Sequence, residues 1–224
     1  MKYYIIAGEA SGDLHGSNLM KELKIIDNQA EFRFWGGNLM QNEGGILVKH
    51  FKDLAFMGFL EVIKNLPTIL KNISFCKKDI LEFMPDRLIM IDYPGFNLRI
   101  ADFAKKNNID VHFYISPQLW AWKPNRVYKI KENVKKMYVI LPFEKDWYKK
   151  YDYDVEFVGH PLLDAIKNFP EYDLNSFKKE SNLNDKPIIA LLPGSRKQEI
   201  NKMLEIMLSV RNEFQDYQFL ALNM

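Results

Sequence analysis

A single cysteine, Cys76, stands in 224 residues, so no disulfide can form within the chain and a reducing compartment is expected. Cys76 itself reads as a small apolar residue. Long hydrophobic runs are missing too, and no stretch nears the roughly 18 apolar residues of a spanning helix. Met1-Lys2 leads straight into a β-prone run rather than a signal peptide. The expectation is a cytoplasmic chain, either soluble or resting on a membrane without crossing it. An excess of one charge is also absent. The net charge of +2 argues against a surface coated in basic residues for nucleic acid. The four histidines (His15, His50, His112, His160) show neither H-E-x-x-H nor Cys/His ligand spacing, so neither a metal nor another cofactor is expected. No internal repeat or low-complexity tract is visible.

What is present is an ordinary globular composition, 47% hydrophobic and 27% charged, which excludes disorder as the general state. Apolar or β-branched runs recur at Tyr3–Ala7, Phe32–Trp35, Leu88–Ile91, Val111–Ile115, Met137–Leu141, Val155–Val158, Ile188–Leu192 and Gln218–Leu222. Helical patterns fall between several of them. Leu19, Met20, Leu23 and Ile26 share one helical face, and Phe96, Ile100, Phe103 and Ala104 share another. Strands alternating with helices predict an α/β fold with a parallel, doubly wound sheet. The polar, turn-rich passage at 169–186 predicts a linker after a first domain at 1–168. A second α/β domain then begins at 187 and reaches Met224 as strand, helix (Glu199–Phe214) and strand. Three elements cannot cover both faces of a sheet, so this part is expected to be marginal alone; either the sequence is truncated or this piece folds against the first domain.

The first turn, Ala7-Gly8-Glu9-Ala10-Ser11-Gly12-Asp13, follows the first apolar run. In α/β sheets, ligands gather at the carboxyl ends of the strands. The turn lacks G-x-G-x-x-G spacing and has no lysine after its glycines, so it is neither a dinucleotide fingerprint nor a P-loop. It still offers amide groups at a helix start, where Ser11 or Asp13 could cap or an anion could bind. Glu9 is harder to read as a cap, because the helical pattern starts several residues later.

Asp92 ends the run Ile89-Met90-Ile91 and is followed by Tyr93-Pro94, which stops the strand. It reads as a helix cap or as a general base tuned by a half-buried strand end. Trp120 and Trp122, beside Lys123 and Arg126, form an amphipathic wall. That wall suits a sugar, an acyl chain or a headgroup, although core packing is the commoner use of tryptophan. His160, in Gly159-His160-Pro161, is either a base or a turn residue. Gly194-Ser195-Arg196 follows a strand and could grip a diphosphate, or Arg196 could be an exposed loop residue. The stretch from Met57 to Leu70 is more apolar than one helix face requires. It is a buried helix or a lipid-facing surface. Between Lys123 and Lys150 nine Lys/Arg face three acids, either a solvated face or one for an anionic ligand or membrane.

Seven motifs stand in order across nearly the whole chain. They are Ala7–Asp13, Met57-Gly58-x-x-Glu61-Val62, Ile91-Asp92-x-Pro94-x-Phe96-Asn97, Ser116-Pro117-x-x-Trp120-Ala121-Trp122, Leu141-Pro142-Phe143-Glu144, Gly159-His160 and Leu191–Arg196. Together they resemble the lipid-A-disaccharide synthase family, inverting glycosyltransferases of lipid A assembly. The resemblance implies a glycosyltransferase B-type fold, with an acceptor domain first and a nucleotide-sugar domain second. It implies transfer of 2,3-diacylglucosamine from UDP-diacylglucosamine to the 6-hydroxyl of diacylglucosamine 1-phosphate, giving a β-1,6 disaccharide and UDP without a metal. It implies Asp92 as the base, with Glu9 as rival base or acceptor-positioning group. Gly8, Ser11, Gly12, Asp13, Asn97, Trp120, Trp122 and Arg126 would shape the acceptor side. Gly194, Ser195 and Arg196 would hold the donor, Arg196 neutralising the departing diphosphate.

Phe59, Leu60, Val62, Ile63, Leu66, Ile69 and Leu70 would meet the inner face of the cytoplasmic membrane of a Gram-negative cell, with the 123–150 cations attracting anionic lipid. A homodimer is one admissible assembly. The sequence departs from the family at Gly95, where a second acidic residue is frequent, and in the missing later part of the donor domain. The chain alone is therefore expected to transfer little or nothing. Two other readings stay open: a UDP-sugar epimerase of the same architecture, and a membrane-surface module that binds acceptor without catalysis.

Overall fold

The structure is a computed structural model that describes residues 1–54, 66–167, 173–194 and 197–222. It divides into two units, Met1–Lys167 and Asn168–Met224. The first unit is built on a seven-stranded sheet in the order β3-β2-β1-β4-β5-β6-β7. Its strands are β1 (Lys2–Ala7), β2 (Glu31–Gly36), β3 (Ile46–His50), β4 (Arg87–Ile91), β5 (Val111–Tyr114), β6 (Lys136–Val139) and β7 (Glu156–Phe157), and every pairing is parallel. The described helices are α1 (Ala10–Ile26), α2 (Asn38–Asn42), α3 (Leu66–Phe83), α4 (Pro94–Lys106), α5 (Arg126–Asn133), α6 (Pro142–Lys149) and α7 (Leu162–Lys167).

The central strands are apolar at consecutive positions because helices cover both their faces. Tyr4, Ile6, Leu88, Met90, Phe113 and Val139 join one core with Ile73, Cys76 and Ile80 of α3, Ile100 and Ala104 of α4, and Val127 of α5. Tyr3, Ile5, Phe34, Ile89 and Ile91 join the other, with Met20 of α1 and Met40 of α2. Cys76 is fully buried, and burial pushes its thiol far above the ordinary range. One polar network crosses the first core. The Trp35 indole donates to the Tyr4 hydroxyl (2.8 Å), which donates to Asp79 of α3 (2.7 Å), while Arg33 donates two bonds to the same carboxylate.

Ile26, in the last turn of α1, is 81% exposed, although it shares a helical face with the buried Met20. The strand β3 has no counterpart in the apolar runs read from the sequence. It is a half-exposed edge strand whose apolar part, Ile46-Leu47-Val48, is only three residues long before Lys49 and His50. The chain reaches it through Gly44 and Gly45, both left-handed (φ 91° and 95°). A Cβ on Gly45 would sit 2.6 Å from the Phe32 carbonyl oxygen.

The second unit has α8 (Leu174–Glu180) within the passage read as a linker, then β8 (Ile188–Leu191), α9 (Lys197–Leu208), a 3₁₀ turn (Ser209–Glu213) and β9 (Gln218–Ala221). The two strands pair in parallel, Ile188 opposite Gln218 and Leu191 opposite Ala221. The helix expected over Glu199–Phe214 ends at Leu208 and tightens into the 3₁₀ turn. Among its described residues, Leu191 and Pro193 are the buried side chains. No described helix is long and apolar enough to cross a membrane.

Candidate functional site

The chain lays down β1, β2 and β3 in one direction and then returns to place β4 on the other side of β1. The crevice between β1 and β4 is thus the point where the winding reverses, and such points carry ligand sites beyond the strands' carboxyl ends. Ala7 is in register with Ile91, so Gly8-Glu9 and Asp92-Tyr93 leave neighbouring strands at the same edge. Their closeness depends on glycine: a Cβ on Gly8 would lie 2.4 Å from the Tyr93 ring.

The backbone at the β4 tip is unusual. Asp92 (φ 42°) and Tyr93 (φ 49°) are both left-handed, a costly pair for non-glycine residues. Asn97, fully buried on α4, donates from Nδ2 to the Asp92 carbonyl oxygen at 2.7 Å and holds the turn. Its Oδ1 is buried without a hydrogen-bond partner among the described residues. Burial, and secondly the Glu9 carboxylate, push the Asp92 carboxyl up to about 6. The same two causes raise the Tyr93 hydroxyl. A carboxyl poised near neutrality at a strand tip is suited to take and release a proton. The residue at the cap position of α4 is Tyr93 rather than Asp92, and it caps with no side-chain bond.

The first turn differs from expectation in one respect. Helix α1 begins at Ala10, so Glu9 does occupy the cap position, directly before the helix. Its side chain makes no capping bond and is exposed beside Asp92. Ser11 is also exposed, while Gly12 packs on β1, where a Cβ would lie 3.0 Å from that of Ala7. Asp13 caps a different helix from its own. Its buried carboxylate accepts from the amides of Gly37 (2.7 Å), Leu39 (3.0 Å) and Met40 (3.0 Å), closing the start of α2. That satisfies its oxygens within the fold.

The loop from β5 to α5 adds the tryptophans. Core packing, one reading of this pair, does not hold: Trp120 is 38% and Trp122 56% exposed. Trp120 meets Phe143 edge-on at 5.1 Å. Trp122 carries the Lys123 ammonium 4.7 Å and the Arg126 guanidinium 5.5 Å from its ring centre. Below them, Ser116 is buried and hydrogen-bonded to the Tyr148 hydroxyl at 2.7 Å. Glu144 folds back on the amides of Ile140 and Leu141 to close α6 (3.2 and 2.9 Å). His160 accepts from the Leu162 amide at 3.2 Å, a turn role.

Glu9, Asp92, Asn97, the two tryptophans and Arg126 therefore all belong to loops or helix starts at the carboxyl edge of one sheet. The sequence alone assigns Tyr93 no role. The residue before a proline is normally extended, so nothing in the sequence announced its left-handed turn against Gly8. A cavity of about 660 Å³ lies elsewhere, along the sheet face beside Tyr3, Ile89, His112, Tyr114 and Tyr138; neither Glu9 nor Asp92 lines it.

In the second unit Gly194 is left-handed (φ 106°) after β8, and a Cβ there would meet Glu199 at 2.5 Å. Ser195 and Arg196 lie outside the described residues, as do Phe59, Leu60, Val62 and Ile63. Of the rest of that apolar stretch, Leu66 and Leu70 are exposed at the start of α3, and Ile69 packs against the core. Among the described residues no cluster of His, Cys, Asp and Glu could hold a metal.

This architecture matches that of a crystal structure of UDP-GlcNAc 2-epimerase from Neisseria meningitidis bound to UDP-GlcNAc, with a TM-score of 0.65 at 12% identity over all of this chain and 66% of that one. The Methanocaldococcus jannaschii UDP-GlcNAc 2-epimerase gives 0.67 at 14% identity, over 99% of this chain and 66% of that one. At such identities the likeness is one of fold: the chain has the glycosyltransferase B-type α/β architecture of UDP-sugar enzymes. Sequence is more specific. The lipid-A-disaccharide synthetase family model matches residues 3–222, and the chain belongs to that family. It is 41% identical to the lipid-A-disaccharide synthase of Coxiella burnetii (strain Dugway 5J108-111), over 98% of this chain and 60% of that relative. It is 43% identical to that of Syntrophus aciditrophicus (strain SB), over 91% of this chain and 53% of the relative. The chain thus spans somewhat more than half the length of the curated relatives it matches.

Proposed function

We propose that this chain forms the acceptor side of a glycosyltransferase that joins UDP-2,3-diacylglucosamine to 2,3-diacylglucosamine 1-phosphate. The observation that carries the reading is Asp92, raised to about 6 at the switch point and flanked by Glu9. In this reading the Asp92 carboxylate takes the proton of the acceptor 6-hydroxyl as that oxygen forms its bond to the donor's anomeric carbon. The bond from that carbon to the diphosphate breaks, and UDP leaves with the electron pair. Attack opposite the leaving group gives the β-1,6 linkage. Glu9 orients the acceptor and, by its charge, keeps Asp92 basic. Arg196 neutralises the departing diphosphate, a role that rests on the family resemblance.

The exposed Trp120 and Trp122 offer faces to the acceptor sugar or its chains, a wall that an epimerase acting on a soluble nucleotide sugar has no need of. Leu66 and Leu70, exposed on α3, belong to the surface that rests on the inner membrane, and the cations of 123–150 draw it to anionic lipid.

The test has two parts. Acceptor in mixed micelles is titrated into the 224-residue chain, and binding is expected. Residues 3–222 are then exchanged for the matching part of the Coxiella relative, and transfer of radiolabelled diacylglucosamine is measured. Asp92→Asn in that chimera should lower turnover roughly 10²–10⁴-fold while leaving acceptor binding in place. Undiminished turnover would remove Asp92 from the base role, and UDP-sugar turnover without acceptor would favour an epimerase.

A further inference from the structure

A second groove, of about 440 Å³, opens beside the β4 tip between the first turns of α4 and α5. Four cations line it, Arg99 and Lys123, Arg126 and Lys129, and no carboxylate does. Among the described residues none of these four is in an ion pair, whereas other cations of the same unit are spent: Lys106 on Asp102 at 2.9 Å, Lys135 on Asp110 at 2.6 Å and Lys136 on Glu156 at 2.7 Å. Like charges gathered in one concavity repel one another and raise the local concentration of anions. Two of the four are also oriented, since the Trp122 ring holds both Lys123 and Arg126 on its face. Lys123 takes the left-handed backbone (φ 56°) that turns the loop into the groove's rim.

Two guanidinium forks and two ammonium groups match the charge and geometry of a phosphate monoester dianion better than those of a carboxylate or a neutral sugar. The location fits as well. Pro94 and Gly95 form the near wall, directly after Asp92 and Tyr93. Arg99 lies five residues further along α4, about 7 Å at the helical rise, on the scale of one sugar ring.

We propose that this groove binds a phosphate monoester, and that its occupant is the anomeric phosphate of the acceptor, held here while the far hydroxyl of the same sugar reaches Asp92. The assignment of the occupant rests on the function proposed above; the groove's preference for phosphate does not. A phospholipid headgroup presents related phosphate chemistry, and the two sources separate in the test.

Reversing one of the four charges provides the sharpest perturbation. Arg99→Glu sets a carboxylate in the groove wall, and Arg99→Gln is its uncharged control. The 224-residue chain is titrated with glucosamine 1-phosphate and with glucosamine, following tryptophan fluorescence and heat. The phosphorylated sugar should bind at least about tenfold more tightly, and Arg99→Glu and the double variant Arg99→Ala, Lys129→Ala should each remove that advantage. Arg99→Gln should keep part of it. Equal affinity for the two sugars, or equal effects of Glu and Gln at 99, would overturn the site. If Arg99→Glu instead releases the chain from phosphatidylglycerol vesicles while glucosamine 1-phosphate binding is unmoved, the acceptor assignment is overturned in favour of a headgroup. If glucosamine 1-phosphate binds as expected but the Asp92→Asn chimera turns over normally, the groove stands and the proposed mechanism falls.

Discussion

Replacing Asp92 with asparagine should make the first unit more stable, by an amount set by pH. The carboxyl is held at about 6 in the fold, against about 3.9 in an unfolded chain. Between those values the native state keeps a proton that the unfolded chain has lost, so stability falls as pH rises through that window and the loss is complete above about pH 6. At about 1.4 kcal/mol for each pH unit between the two values, the charged carboxylate costs the fold up to about 3 kcal/mol. Contact of Asp92 with solvent makes this an upper bound. Asparagine never carries the charge, so Asp92→Asn should gain on the parent by about 2 kcal/mol between pH 4.5 and pH 8.

Urea denaturation followed by tryptophan fluorescence measures this directly. All four tryptophans (Trp35, Trp120, Trp122 and Trp147) lie in the first unit, so the signal reports that unit alone. A stability difference that stays level with pH would refute burial as the origin of the raised carboxyl. A variant that loses ground as pH rises would show that the fold favours the charged form, and the argument for a poised base would fail with it.

Three further outcomes follow from the same geometry. Glu9→Gln should lower the Asp92 midpoint in a carboxyl NMR titration yet leave it above the ordinary range, because burial is the larger cause; a fall to the ordinary value would reverse that order. Gly8→Ala should cost about 1–3 kcal/mol in urea denaturation because its Cβ would meet the Tyr93 ring, while Gly95→Ala, in open space near the start of α4, should cost nothing. Asp13→Ala should cost about 1–3 kcal/mol by stripping the acceptor from three amides at the start of α2, and hydrogen exchange should show Leu39 and Met40 losing protection first.

Much of the fold was legible because buried parallel strands are nearly continuous apolar runs, and seven strand positions of the first unit's sheet and second unit's pair fell on such runs together with β7. The strand missed, β3, does carry the apolar triplet Ile46-Leu47-Val48, but the run is short and gives way to Lys49 and His50 at a half-exposed edge. Ile26 shares a helical side with Met20 and yet stands exposed, because periodicity records which residues share a side, not how far that side is covered. Glu9 was misplaced by a boundary: the helix starts directly after it, in a turn whose glycine and serine content had suggested a later beginning.

The sequence by itself determined the α/β class, the strand-tip location of Glu9 and Asp92, and the family, because each is carried by local runs and ordered motifs. It could not say what any polar side chain would meet. Asp13 and Glu9 stand in one turn, four residues apart, yet one is consumed by the amides of a different helix and the other is left facing Asp92. The tryptophans could have been core or surface, and Arg99 gave no sign of sharing a groove with Lys123 and Lys129. Only the tertiary structure decided these, because burial, electrostatic coupling and charge clustering arise between segments far apart in sequence. The winding order of the sheet set them side by side.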